Sequence, residues 1–106
     1  MQAMLINDAD LSESALLVLV VDDIASSRQA LCDQIREIGH QAIEADGGLP
    51  ALLAVSTQRP DVIFVDLLMP GVDGFEVCSQ IRALSHERWI PVIVTSALEG
   101  NEPFVH

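Results

Sequence analysis

Three continuous apolar runs and one more polar, strand-like segment alternate along the chain with stretches of helical spacing. Residues 16–21 (LLVLVV) form the first run. It is too short for a buried helix and rich in Val, so it predicts a strand buried on both faces. Ser26 or Ser27 can then cap a helix on which Leu31, Ile35 and Ile38 recur at four- and three-residue intervals, and Gly39 ends it. Residues 41–45 (QAIEA) suit a strand at a sheet edge. Asp46, Gly47 and Gly48 turn the chain into a second helix carrying Leu49, Leu52, Leu53 and Val55, with Pro50 tolerated in its first turn. Residues 61–65 (DVIFV) predict another buried strand, ending at Asp66. The loop 69–74 (MPGVDG) leads into a third helix with Val77, Cys78, Ile81 and Leu84 on one side. Residues 91–95 (PVIVT) are the fourth strand, followed by Ser96 and Ala97.

The resulting order, β-α-β-α-β-α-β, calls for an α/β fold with a parallel sheet, right-handed crossovers and helices on both faces. Ligands of such sheets gather outside the carboxyl ends of the strands. Asp22 and Asp23 follow the first strand, Asp66 the third and Ser96 the fourth. An Asp at a strand-to-helix junction is also a routine helix cap, but capping does not require matched placement after two different strands. If the strands are neighbours, three carboxylates and a hydroxyl converge. Such a cluster is tolerable when a hard cation neutralises it, and an all-oxygen set suits Mg2+ or Mn2+. A carboxylate such as Asp66 can also attack phosphorus to give a labile acyl phosphate, provided a metal screens the approach of the anionic donor.

Composition narrows the field. The 106 residues are enough for one domain, half of them are hydrophobic, and the net charge is −11. That charge disfavours nucleic acid and anionic membranes as direct partners. All basic residues are arginines. Cys32 and Cys78 fall in helical segments with neither metal-knuckle nor disulfide-framework spacing, so they read as small apolar fillers. Residues 1–15 are acidic and aperiodic apart from Met4, Leu5 and Ile6. They read as a flexible leader, without signal-peptide character. No apolar run approaches a membrane span, and a cytoplasmic location is expected.

Residues 18–23 (VLVVDD), 61–74 (DVIFVDLLMPGVDG) and 91–97 (PVIVTSA) resemble, in order and spacing, the signature segments of response-regulator receiver domains, and Glu44-Ala45-Asp46-Gly47 resembles the family's turn before the second helix. The resemblance covers residues 16–106. It implies a flavodoxin-like doubly wound sheet of order 2-1-3-4-5, here without the fifth strand and last helix. It also implies Asp66 as phosphoacceptor, Asp23 and Asp22 as Mg2+ ligands together with Asp66 and the backbone carbonyl of Leu68, Ser96 as the switch hydroxyl and Ala97 as the small residue that leaves the phosphoryl group room. Thr95 is the competing hydroxyl. Met69, Pro70 and Gly71 shape the loop, Asp73 caps the third helix, Trp89 is a surface or packing residue, and His40, His86 and His106 have no catalytic role.

The family pattern continues beyond the fourth strand with a lysine that pairs with the phosphoryl group, and this chain contains no lysine. The expectation is a fragment of a longer protein whose fourth strand is an open edge, seen as a homodimer or through strand or helix exchange. The implied function is a phosphorelay module served by a sensor histidine kinase or phosphotransfer protein and acting on an output domain or effector. It would not be an enzyme beyond handling its own phosphoryl group. The alternative is the regulatory front end of a larger signalling enzyme, such as a diguanylate cyclase or phosphodiesterase. A phosphatase of the haloacid-dehalogenase type would want an acid where Leu68 stands, and a degenerate receiver would not retain Asp22, Asp23, Asp66 and Ser96 together.

Overall fold

The computed structural model describes residues 15–66, 69, 74–84, 89–95 and 104–105. Strands β1 (Leu17–Val21), β2 (Gln41–Ala45), β3 (Val62–Asp66) and β4 (Val92–Thr95) alternate with helices α1 (Ala25–Glu37), α2 (Gly48–Gln58) and α3 (Gly74–Leu84), and a short β5 (Phe104–Val105) follows. The sheet order is β2-β1-β3-β4-β5. The first four strands are parallel, with Leu19 beside both Ile43 and Ile63, and Ile63 beside Val92. β2 lies at the edge, as its polar composition predicted.

The fourth strand is not the open edge expected of it. β5 pairs antiparallel with β4, matching Ile93 to Val105 and Val94 to Phe104. Two residues suffice to occupy part of the backbone hydrogen-bonding groups that an edge would otherwise present.

The two faces of the sheet are unequal. On one, Leu19, Val21, Ile63, Val65, Val92 and Val94 are buried together with Ala51, Val55, Val77 and Ile81 of α2 and α3. On the other, α1 covers Val18 and Val20 with Cys32 and Ile35, while Val62 and Phe64 are only half-buried. β1 is therefore buried on both faces, as its unbroken run predicted. β3, also expected to be buried, and β4 are fully buried on one face only, because α1 packs against β1 and β2.

Helix ends and faces differ from expectation in detail. α1 starts after Ile24, which makes no side-chain cap, and Ser26 and Ser27 lie inside the helix rather than at its boundary. At the other end Gly39 does stop it, with φ of 99°. Its amide donates to Arg36 O (3.0 Å) and that of His40 to Ile35 O (3.2 Å). These paired bonds satisfy the last carbonyls and require a left-handed residue between them. An added Cβ at Gly39 meets nothing within 4 Å, so the cost of Gly39→Ala is backbone strain alone. It is expected to destabilise by about 1 kcal/mol in urea unfolding. On α2 the buried residues are Ala51, Ala54 and Val55, whereas Leu49 and Leu53 are exposed. Ile38 and Leu84 are exposed as well.

Candidate functional site

The carboxyl ends of β1 and β3 are neighbours, with Val21 beside Val65. The residues immediately after Val21, and the last residue of β3, must therefore meet. Asp22, Asp23 and Asp66 each place a carboxylate oxygen within 4.8 Å of the others. Asp66 is 3% exposed, the one buried charged side chain among the described residues; Asp22 is half-buried and Asp23 exposed.

The bend carrying the first two acids is held by backbone bonds from both sides. Asp22 N donates to Ala45 O on β2 (3.1 Å), and Ile24 N donates to Asp22 Oδ1 (2.9 Å). The second bond closes an Asx turn that leads into α1. Arg28, on the first turn of α1, donates from Nη1 to Asp22 O (2.9 Å) and from Nε to Glu44 Oε1 (2.7 Å). The hydrogen bond to Glu44 raises the Arg28 pKa further, so this guanidinium stays charged. Arg28 was not singled out by the sequence reading. Its signal is its place one helical turn after the acids, opposite an acid on the neighbouring strand.

Electrostatics follow from the crowding. Burial raises the Asp22 pKa above its ordinary 3.8, and the charges of Asp66 and Asp23 add to the shift, while the Ile24 amide opposes it. A carboxyl whose folded pKa is raised holds its proton more tightly in the folded chain than in the unfolded one. Its penalty is absent below its unfolded pKa and develops as pH rises from about 4 through the folded value, remaining in full above it. Metal-free Asp22→Asn is therefore expected to melt above the parent at neutral pH and to converge with it near pH 4, because Asn keeps the Oδ1 acceptor for Ile24. Differential scanning calorimetry across that range checks this.

Three oxygen donors this close, one of them buried, fit a small hard divalent cation and poorly fit a soft one. Leu68, Ser96 and Ala97, which the resemblance adds to the site, lie outside the described residues, as do Pro70, Gly71 and Asp73. Thr95 sits beside Asp66 in the sheet register, and its hydroxyl donates to Val65 O at 3.4 Å. Met69 is buried against the core. Trp89 is exposed, with the Arg82 guanidinium 5.5 Å from its ring centroid. Among the described residues no helix is long and apolar enough to cross a membrane.

Known proteins resemble the chain in sequence and fold. Residues 18–106 match the response regulator receiver domain family. Protein PilG of Pseudomonas aeruginosa is 34% identical over 85 residues, covering 80% of this chain and 63% of PilG. Response regulator PleD of Caulobacter vibrioides is 36% identical over 83 residues, covering 78% of this chain and 18% of PleD. The chain thus spans less than two thirds of either relative. Among solved structures, a CheY-like receiver domain from Methylobacillus flagellatus superposes with a TM-score of 0.75 at 28% identity, covering 84% of this chain and 75% of that one. TrrA of Thermotoga maritima in complex with Mg2+-BeF gives 0.71 at 30% identity, covering 79% and 71%. TrrA in complex with the histidine kinase ThkA gives 0.70 at 30%, covering 77% and 69%. Receiver domains bind Mg2+ at an acidic pocket and pair with histidine kinases. The family match over most of the chain and the four parallel strands in the order β2-β1-β3-β4 agree: this chain belongs to the response regulator receiver domains of two-component signalling.

Proposed function

We propose that the chain accepts a phosphoryl group on Asp66 from a phosphohistidine of a sensor histidine kinase or phosphotransfer protein. The observation that carries this reading is the buried Asp66 carboxylate at the end of a central strand, beside Asp22 and Asp23. An Asp66 carboxylate oxygen attacks phosphorus and the P–N bond breaks, its electron pair leaving with the imidazole of the donor. The product is an aspartyl phosphate, labile enough to serve as a reversible signal. Asp22, Asp23, Asp66 and the Leu68 carbonyl would hold Mg2+, with Mn2+ as a substitute; the cation neutralises the crowded charge when donor and acceptor, both anionic, approach. Ser96 would hydrogen-bond a phosphoryl oxygen, and Ala97 would leave it room. No other enzymatic activity is assigned to residues 16–106. A cytoplasmic location suits the buried thiols of Cys32 and Cys78.

A second reading places this receiver at the front of a larger signalling enzyme, such as a diguanylate cyclase or phosphodiesterase. It is favoured by the small fraction of PleD that the chain spans. Either way, the modified Asp66 acts on an output domain or effector. Self-association or exchange through the β4–β5 side is a further part of the proposal, and light scattering at rising concentration tests it.

The test is incubation with Mg2+ and acetyl phosphate, read by intact mass. A gain of one phosphoryl group that needs both Mg2+ and Asp66 is expected. A folded chain that gains none, even when extended with the downstream sequence of its gene, sinks the reading.

A further inference from the structure

The Arg28–Glu44 pair has no part in the chemistry proposed above, yet it is tied directly to the acid bend. Arg28 Nη1 is 2.9 Å from Asp22 O and Nε 2.7 Å from Glu44 Oε1. The arginine side chain is 14% exposed and the glutamate 32%; the bond to Asp22 O is partly buried, and the one to Glu44 lies at the exposed surface.

We infer that Arg28 is a positioning residue that holds the Asp22–Asp23 bend against β2 and so sets the site's affinity for a divalent cation. The inference rests on reading Asp22 and Asp23 as cation ligands. Glu44 lies opposite Val20 in the register, one residue before the Ala45 whose carbonyl receives the Asp22 amide. The Asp22 residue is therefore fastened to β2 at both ends: directly through its N–H, and through Arg28 and Glu44 by its C=O. With both peptide groups held, the two carboxylates following β1 keep their bearing towards Asp66, and a cation need not order them on arrival.

Charge argues that position, not attraction, is what Arg28 supplies. A lone guanidinium beside three carboxylates would repel an incoming cation. Glu44 offsets that charge, so the arginine can hold the carbonyl while the acid cluster keeps its negative field. Position and charge consequently predict opposite signs. Removing a mere counter-charge raises cation affinity, whereas removing a positioning bond lowers it.

The double variant Arg28→Gln/Glu44→Gln separates the two, since it deletes one charge of each sign and leaves the net charge at −11. Free Mn2+ is counted by electron paramagnetic resonance, with Mg2+ as competitor and circular dichroism confirming the fold. The expected result is an affinity roughly tenfold below the parent. Arg28→Lys, which keeps the charge but loses the planar fork, provides a variant with less risk to folding and is expected to lose affinity severalfold. Parental or raised affinity in either folded variant overturns the inference while leaving the metal site intact. A parent chain that binds no Mn2+, alongside an equally inert Asp23→Asn, overturns both this inference and the reading beneath it.

Discussion

Asp66→Asn is expected to lose phosphoryl acceptance altogether and, in the metal-free chain, to melt several degrees above the parent. The two effects share one cause. Asp66 is almost completely buried, and its carboxylate lies within 4.8 Å of those of Asp22 and Asp23. Two like charges about 5 Å apart repel by roughly 3 kcal/mol at an effective dielectric of about 20. Part of that is relieved already by the raised pKa of Asp22, to which Asp66 contributes. Asparagine keeps the shape while removing the charge and the nucleophilic oxygen. A net gain of about 1 kcal/mol corresponds to about 4–8 °C in a domain near this size. Intact mass after acetyl phosphate treatment reads the first effect and calorimetry the second. A phosphorylated Asp66→Asn chain would put the acceptor elsewhere. A lowered melting temperature would mean that the fold's bonds to this carboxylate outweigh the repulsion. Saturating Mg2+ should close the gap by stabilising only the parent, through linkage to the folded state.

Ile63→Ala is expected to be the most damaging single substitution for stability. Ile63 is 0% exposed, and its strand runs between β1 and β4, where it sits level with Leu19 on one side and Val92 on the other. Close packing leaves no neighbour free to collapse into the space. The loss should be about 3–4 kcal/mol from lost burial plus the cavity, against a total stability of about 5–15 kcal/mol. In urea the midpoint should fall by 1 M or more on the order of magnitude of a typical slope, with that slope unchanged. Leu49→Ser on the exposed side of α2 serves as the comparison, since Leu49 is 81% exposed. Its effect should stay within about 0.5 kcal/mol. Comparable losses at both positions would mean that the sheet interior is not the principal core.

Strand identity and order of elements were legible because each apolar run is short, rich in β-branched residues and bounded by polar turns. β1 is the clearest case. Its unbroken LVLVV predicted burial on both faces, and Val18 to Val21 are all buried. The acids were legible as well, since a strand's last residues are visible in the pattern and parallel strands bring equivalent ends together. Helix faces were less so. α2 carries apolar residues all round (GLPALLAVSTQ), so spacing alone could not choose a side. The close approach of α2 to the sheet and α3 selected the small Ala51 and Ala54 with Val55 and turned Leu49 and Leu53 outward. On α1 the same selection put Cys32 and Ile35 inside and left Ile38 out.

The sequence by itself determined the alternation of strands and helices, the edge position of β2 and the candidacy of Asp22, Asp23 and Asp66. Local pattern and short connections leave few other ways to bury those runs. Only the tertiary structure decided which helix faces turn inward, that β5 closes on β4 in the antiparallel sense, and that Arg28 reaches both Asp22 O and Glu44. Each of these depends on residues brought together across the sheet or between helices. A periodic pattern records which positions are apolar along one element, but the partner that meets them is set by how the elements pack.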